Sequence, residues 1–350
     1  MKFEMLSEKL DFVTNPQNWN DHQKQRLINT FKVPIEKYIK DQFSEITKNK
    51  ECIVATSSMA LSPYLNHIHF DLSILDEAGQ VLEPYSAIGL FRGERSVIIG
   101  DLNQLQAVVK SQPGKSGRYN TSTMERLIYM QNVPITTLKK QYRMDFGIHE
   151  FINTSFYKKE LAYTKISNEN NVFNAIFENS FPYIFIDVDY KENHMDKDKS
   201  LFNEDQHKVA LILFEKLQQQ DINKNDIAII TPYTKQKNLI QQRHNQDSRV
   251  ATIDGFQGNE ADYIIVSTVR SNTIHYPGFV GDYCRVNVSL SRAKKGCIVL
   301  GDLKTLNTRA WQCFFNYIAI HNAYFKKEGD IFRNYPLDPN DFLDYNHFYE

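Results

Sequence analysis

Short apolar runs that end in small or acidic residues alternate with polar, helix-patterned stretches along most of this chain, and that alternation restricts the fold more than anything else in it. "CIVATSSMA", "LSILDEAG" and "SVIIGDL" come first, from Cys52 to Leu102. After "ITTLKKQYRM" the pattern restarts with "YIFIDV", "IAIITPY", "RVATIDG", "YIIVSTV" and "GCIVLGDL". Between these runs lie "TMERLIYM", "DQHKVALILFEKLQQQ" and "YTKQKNLIQQRHN". Near-continuous apolar runs suit parallel strands covered on both faces, whose C-terminal ends carry the chemistry. Strand and helix in alternation predict doubly wound α/β architecture. The restart divides the chain into two such units, with the boundary near Pro134 to Lys139.

The remaining segments are read around that frame. Residues 1–50 are polar and helical in character, with Ile35, Ile39, Phe43 and Ile46 on one stripe of a helix that Pro34 could start. Residues 190–199 are expected to form an exposed loop. Residues 308–350 are expected to be a C-terminal tail, aromatic and acidic from Asp338 onward, with no assignable role.

Composition excludes several classes. The hydrophobic content is 41% and the aromatic content 13%, too rich for a disordered chain. The formal net charge of −1 gives no global basic field, although a local basic channel is compatible with it. Cys52, Cys284, Cys297 and Cys313 are scattered, without the close pairs of a zinc site, and read as idle or buried thiols in a reducing compartment. The start "MKFEMLSEKLDFV" lacks a leader-like apolar segment, and no apolar run is long enough to span a bilayer. A cytoplasmic or nuclear location is the expectation.

Chemistry concentrates where the runs end. "SILDEAGQ" delivers Asp76 and Glu77 side by side after an apolar strand. In phosphoryl transfer one such acid holds Mg²⁺ and the next orients the attacking water; the alternative is a strand followed by a capped turn. "IIGDLNQL" runs into a Gly-Asp turn with Gln104 placed to feel a phosphate. "KKQYRM" sets Arg143 beside Tyr142, the stretch Val250–Arg270 carries Gly258 and Glu260, and "VNVSLSRAKKG" carries Arg292 just before a strand. Each of these alone could be a turn glycine, a surface arginine or a satisfied core polar group.

As an ordered set these segments resemble the superfamily-1B helicases of the up-frameshift, senataxin and immunoglobulin-mu-binding type. DEAGQ looks like their Walker B motif, GDLNQL like motif III, QYRM like motif IV and "IITPYTKQ" like the TPY-x-x-Q segment. Val250–Arg270 resembles motif V and Val286–Gly296 motif VI; "TMERL", "FINTSFY" and "GFVGDYCRVNVSLSRAKKG" match as well. Gln106 and Ala107 depart mildly, standing where relatives often carry proline or glycine.

The resemblance implies two RecA-like parallel-sheet domains, the first incomplete, with a helical insertion over residues 1–50. The rest of the first domain would span 51–137 and the second domain 138–307, with the nucleotide in the cleft between them. It implies ATP and Mg²⁺ as cofactors, single-stranded RNA or DNA as substrate, movement 5′ to 3′, and protein partners in RNA metabolism. Residue by residue, Asp76 would bind Mg²⁺, Glu77 activate water and Gln104 sense the γ-phosphate. Arg143 and Arg292 would act as arginine fingers. Tyr142 would stack on adenine, Glu260 hold the ribose hydroxyls, and Gly258 let the backbone approach the phosphates. Thr56, Thr231, Tyr233 and Thr252 are candidates for the nucleic-acid track.

The family's G-x-x-x-x-G-K-[ST] loop would precede Asp76, and nothing from Met1 to Asp71 resembles it. The expectation is therefore a chain that begins partway through the first motor domain. A different outcome, a catalytically inactive nucleic-acid-binding or regulatory module, stands as the alternative. Gly114-Lys115-Ser116 spells the end of a phosphate loop, but Val109 occupies the position of the required first glycine and the order relative to Asp76 is wrong. Residues 108–122 read as a solvated loop.

Overall fold

The computed structural model describes residues 20–60, 62–65, 68–130, 133–164, 171–188, 191–195, 198–243 and 249–347. The chain forms two compact units. The first comprises Met1–Gly100 and Val108–Arg126; the second comprises Asp101–Ala107 and Leu127–Glu350. The segment Asp101–Ala107, which carries Gln104, thus groups with the second unit.

In the first unit helix α1 (Asp21–Thr47) starts thirteen residues before Pro34 and runs through it. Asn20 caps it, accepting from the Gln23 N–H while Gln23 answers through its own side chain, so two orphan donors of the first turn are satisfied. Strand β1 (Phe70–Leu75) leads to the acid pair, helix α2 (Glu83–Leu90) follows, and β2 (Gly93–Ile98) pairs parallel to β1. "CIVATSSMA" forms no strand: residues 52–56 are irregular and Val54 is exposed, and only Ser57–Ala60 make a helical turn. Among the described residues no strand pairs with this segment, and four apolar residues alone do not make a ladder. Helix α3 (Gln112–Ser116) is the GKS segment, and α4 (Thr123–Met130) begins as "TMERLIYM" predicted.

The second unit holds the large core. Two short segments, β3 (Lys140–Gln141) and β4 (Ala162–Tyr163), pair parallel around helix α5 (Phe146–Phe156). Strands β5 (Tyr183–Asp187), β6 (Asn193–Met195) and β7 (Asp198–Phe202) follow, and then helix α6 (Glu204–Gln218). Next come β8 (Ile227–Thr231), helix α7 (Thr234–Arg243), β9 (Arg249–Thr252) and β10 (Ala261–Ser267). Helix α8 (Tyr283–Leu290), β11 (Ala293–Gly301), helix α9 (Arg309–Ile320), β12 (Tyr324–Glu328) and β13 (Ile331–Asn334) complete the unit. The main sheet has the order β13-β12-β5-β11-β10-β8-β9, parallel except for the β12–β13 pair. The α/β architecture of parallel sheets read from the sequence is the one observed. The five apolar runs of the second half all form strands of this sheet, because continuous apolar sequence is tolerated only where helices cover both faces.

Two expectations are corrected here. The stretch 190–199 is not a plain exposed loop: among its described residues β6 pairs antiparallel with β7, and Glu192 is buried. Residues 308–347 are not a tail: α9 and β12 belong to the core. Trp311, Phe314, Phe315, Tyr317 and Ile318 are buried on α9, and Tyr345 packs on Phe151 and Tyr317. Phe151 also meets the rings of Phe156, Tyr183, Phe314 and Tyr317 at centroid distances of 5.3–6.0 Å. Among the described residues no helix is long and apolar enough to cross a membrane. Cys284, Cys297 and Cys313 are buried and Cys52 is exposed; burial raises the Cys313 thiol to about 11, so it stays protonated.

Candidate nucleotide and nucleic-acid sites

In the first unit β1 ends on Asp76 and Glu77, both exposed. The turn is held locally: Asp76 Oδ1 accepts from the Glu77 N–H at 2.9 Å, and Glu77 Oε2 accepts from Gln80 Nε2 at 3.0 Å. Glu77 sits at φ 52°, a left-handed conformation that costs a non-glycine residue on the order of 1 kcal/mol or more. The Ala78 N–H donates to the Ile99 carbonyl, and a Cβ on Gly100 would fall 3.1 Å from the nitrogens of Ala78 and Gly79. The acid turn is therefore clamped to the end of β2. Thr56 is exposed, and its hydroxyl accepts from the Met59 N–H, capping Ser57–Ala60. Lys115 is exposed on α3, where Ser111 caps the helix by accepting from the Gly114 N–H. A single five-residue turn capped by its own side chain is not a phosphate cradle.

In the second unit the predicted residues gather at the N-terminal ends of β10 and β11. Gln141 Oε1 accepts from the backbone N–H groups of both Arg143 and Met144, a local turn that leaves the Tyr142 ring 71% exposed. Arg143 Nε donates to Glu260 Oε2 at 2.7 Å, and its Nη1 to the Ser291 carbonyl at 3.3 Å. Lys294 Nζ meets the other oxygen of Glu260, also at 2.7 Å. With Lys294 and then Arg143 donating to it, the Glu260 carboxyl is held below its ordinary range, against the opposing pull of burial. Both carboxylate oxygens are thus engaged by cations, a different placement from the ribose contact expected of Glu260. Gly258, just upstream, has φ 78° and open space around its Cα, so backbone conformation requires the glycine there, not crowding.

Glu260's lowered pKa has a sign. Its contribution to stability is present above the unfolded carboxyl pKa and is lost as pH falls through the lower folded value. A thermal-midpoint titration should show wild type losing stability on acidification through the carboxylate range, with Glu260→Gln less pH-dependent over that window. The difference should be small because the pair is about a third exposed.

Arg292 follows the C-terminus of α8 and is only 2% exposed. Its Nε donates back to the Val288 carbonyl, a favourable position for a cation at a helix C-terminus, and its Nη2 donates to Gln104 Oε1 at 2.6 Å. Gln104 Nε2 in turn donates to Asp101 Oδ2, which also accepts from the Tyr157 hydroxyl at 2.6 Å. Asn287 Nδ2 donates to the Tyr157 oxygen and to the Asn103 carbonyl. Burial, with the Asp101 carboxylate beside it, pushes the Tyr157 phenol well above its ordinary value, so it remains a donor. Asp101, Tyr157, Asn287 and Lys294 were not singled out from the sequence. "FINTSFY" flagged the neighbourhood of Tyr157, but only folding brings it to Asp101.

At the opposite, C-terminal edge of the sheet the track candidates separate. Thr252 is half-buried and its hydroxyl accepts from the Gly255 N–H. Thr231 is fully buried and Tyr233 is 5% exposed under Phe279, so neither offers its side chain to a strand passing over the surface. Thr231 ends β8 and Tyr233 follows two residues later.

Two family models, each described as an AAA domain, match residues 2–112 and 119–304. The chain belongs to the superfamily-1B helicases of the up-frameshift type. An uncharacterized ATP-dependent helicase of Methanocaldococcus jannaschii is 32% identical over 79% of this chain and 42% of its own length. The DNA replication ATP-dependent helicase/nuclease JHS1 of Arabidopsis thaliana is 30% identical over 73% of this chain and 20% of its own. The ATP-dependent helicase NAM7 of Saccharomyces cerevisiae is 30% identical over 80% of this chain and 30% of its own. This family member thus spans less than half the length of these relatives, and its motif-bearing segments lie inside the matched regions.

Proposed function

We propose that this chain acts as the motor segment of an ATP-driven helicase or translocase on single-stranded RNA or DNA, moving 5′ to 3′ as the resemblance implies. The observation that carries the reading is the 2.6 Å hydrogen bond from Arg292 to Gln104, which joins the motif VI arginine to the motif III glutamine across 188 residues of sequence. A phosphate sensor bonded to a phosphate-neutralising arginine lets one nucleotide state be read by both groups. In this reading Glu77 orients the attacking water, and Arg143 and Arg292 neutralise charge growing on the phosphoryl oxygens. Tyr142 offers an exposed ring to the adenine, Gly258 leaves backbone open to phosphate, and Glu260 holds Arg143 and Lys294 in place.

The acid turn fits a magnesium ion. Magnesium in phosphoryl-transfer sites is bound through one or two carboxylates plus phosphate oxygens, so the exposed Asp76 at the end of β1 suffices on the protein side. Among the described residues no cluster of three or more metal-ligating side chains offers a competing site. Asp76 would hold the ion, which supplies positive charge to the phosphate oxygens.

The test is ATP hydrolysis by this chain supplied with a G-x-x-x-x-G-K-[ST] loop ahead of it, with and without added single-stranded oligonucleotide. Stimulation by the strand is expected, and Glu77→Gln should lower turnover at least about 100-fold. Unchanged turnover in Glu77→Gln overturns the catalytic assignment. Strand binding without hydrolysis in the wild type selects the inactive nucleic-acid-binding module instead.

A further inference from the structure

Beyond the end of β10 the chain runs through Val269, a buried β-branched residue at φ 70°. Such a conformation persists only where the surroundings over-determine it. Here the Val269 N–H donates to Gln206 Oε1 at 2.7 Å, and its carbonyl accepts from Asn203 Nδ2. The strained residue aims Arg270 inward. Arg270 Nε pairs with Glu192 at 3.0 Å, both side chains being largely buried. Its Nη2 donates to the Tyr276 carbonyl at 2.6 Å and its Nη1 reaches the Tyr233 hydroxyl. The loop 271–281 is wrapped around this guanidinium. Asn272 accepts from the Tyr276 N–H and donates to its carbonyl, both at 3.0 Å, and Asn307 Nδ2 donates to the His275 carbonyl. At Gly278, φ is 60° and a Cβ would stand 3.0 Å from Arg270 Nη1, so the wrapping needs a glycine there.

What this buried construction displays is aromatic. Tyr276 is 61% exposed and Phe279 43% exposed. A guanidinium lies over each ring: Arg270 at 5.8 Å from the Tyr276 centroid and Arg285 at 5.0 Å from that of Phe279. Arg285 is itself fixed by two bonds to Asp254, at 3.0 and 3.1 Å. Exposed rings on a loop are ordinarily free to turn away; these are anchored from below by the Arg270–Glu192 pair and from the side by Tyr233, whose ring is 4.8 Å from Phe279. The loop also lies outside the carboxyl end of β10, the side on which open parallel sheets bind ligands.

We propose that Tyr276 and Phe279 form a stacking platform for two bases of single-stranded nucleic acid, reading no sequence. Flat exposed rings match nucleobases, since every base offers a π-face, and the guanidinium groups, themselves paired with Glu192 and Asp254, hold the rings in place. The platform takes the place that Tyr233 was expected to fill, because Tyr233 is covered by Phe279. This inference rests on the proposed helicase reading, from which its failure can be told apart.

The experiment measures binding of fluorescent 20-mers to the 350-residue chain by anisotropy: oligothymidylate, oligouridylate and an abasic strand with the same phosphates. Tyr276→Ala and Phe279→Ala are each expected to weaken binding of the base-bearing strands about 5- to 100-fold. Tyr276→Phe should stay within about twofold of wild type, and the abasic strand should bind equally to all variants. A circular dichroism melt checks the fold of each variant; Tyr276→Ala, at an exposed ring, is the one that keeps the test clean if Phe279→Ala is destabilised. Wild-type affinity of Tyr276→Ala for the base-bearing strands overturns the platform, leaves the helicase reading standing and returns the patch to protein contacts. An equal loss on the abasic strand also overturns it, because the rings would then not act on bases. Failure of wild type to bind any strand overturns the helicase reading itself.

Discussion

Arg292→Ala is expected to lower strand-stimulated ATP turnover about 10³- to 10⁵-fold, the usual worth of an arginine that neutralises the transferring phosphoryl group. The side chain is 2% exposed, bonded to Gln104 and laid back on the α8 carbonyls, so its donors are pre-aimed and little reorganisation remains to be made during reaction. Arg292→Lys should be nearly as impaired, because an ammonium cannot serve Gln104, Val288 and a phosphate with the planar fork of a guanidinium. Gln104→Ala removes one partner but leaves the charge, and its effect on turnover should be smaller than that of Arg292→Ala. Turnover is measured beside a urea unfolding curve for each variant. Wild-type turnover in a folded Arg292→Ala protein would remove Arg292 from the catalytic set.

Trp311→Ala is expected to give the largest loss of stability, about 3–5 kcal/mol, as a lower urea midpoint with little change in slope. Trp311 is 1% exposed, packs its ring on Phe314 and Phe315 at 5.8 and 6.2 Å, and donates from Nε1 to the Val280 carbonyl at 3.1 Å. Truncation leaves both a cavity and an unsatisfied carbonyl, and the surrounding aromatic side chains are too rigid to collapse into the space. Val280 adjoins Phe279, so the same substitution should also loosen the loop that displays the rings. An unchanged midpoint would mean that α9 is an appendage and that the core closes without it.

Periodicity made the second unit's sheet legible. Runs such as "IAIIT" and "YIIVS" have no alternating polar positions to face water, only a Thr or Ser at the end, and a covered parallel strand is the structure that accepts them. Capping made the start of α1 legible in principle: Asn20 with Gln23 three residues later is a stronger start signal than Pro34, which the first turn of a helix favours but does not require. The buried stripe of α9 was also open to reading, since Trp311, Phe314, Phe315 and Ile318 recur at helical spacing. Residues 52–56 misled because a short apolar run says nothing about whether a partner strand lies beside it.

The local sequence by itself determined which residues are able to do chemistry: the acid pair after β1, the Gln-Tyr-Arg turn, and the glycine at φ 78° ahead of Glu260. These depend on side-chain type and on backbone preferences a few residues long. The tertiary structure alone decided what each of them touches. It gave Glu260 to Arg143 and Lys294, Arg292 to Gln104, and Asp101 to Tyr157, and it buried Tyr233 while turning Tyr276 and Phe279 outward. The bonds that do so, from Arg270 to Glu192 and from Asn203 and Gln206 to Val269, join residues 63 to 78 positions apart. Partners at that separation are selected by how the sheet and its helices pack, which no local pattern encodes.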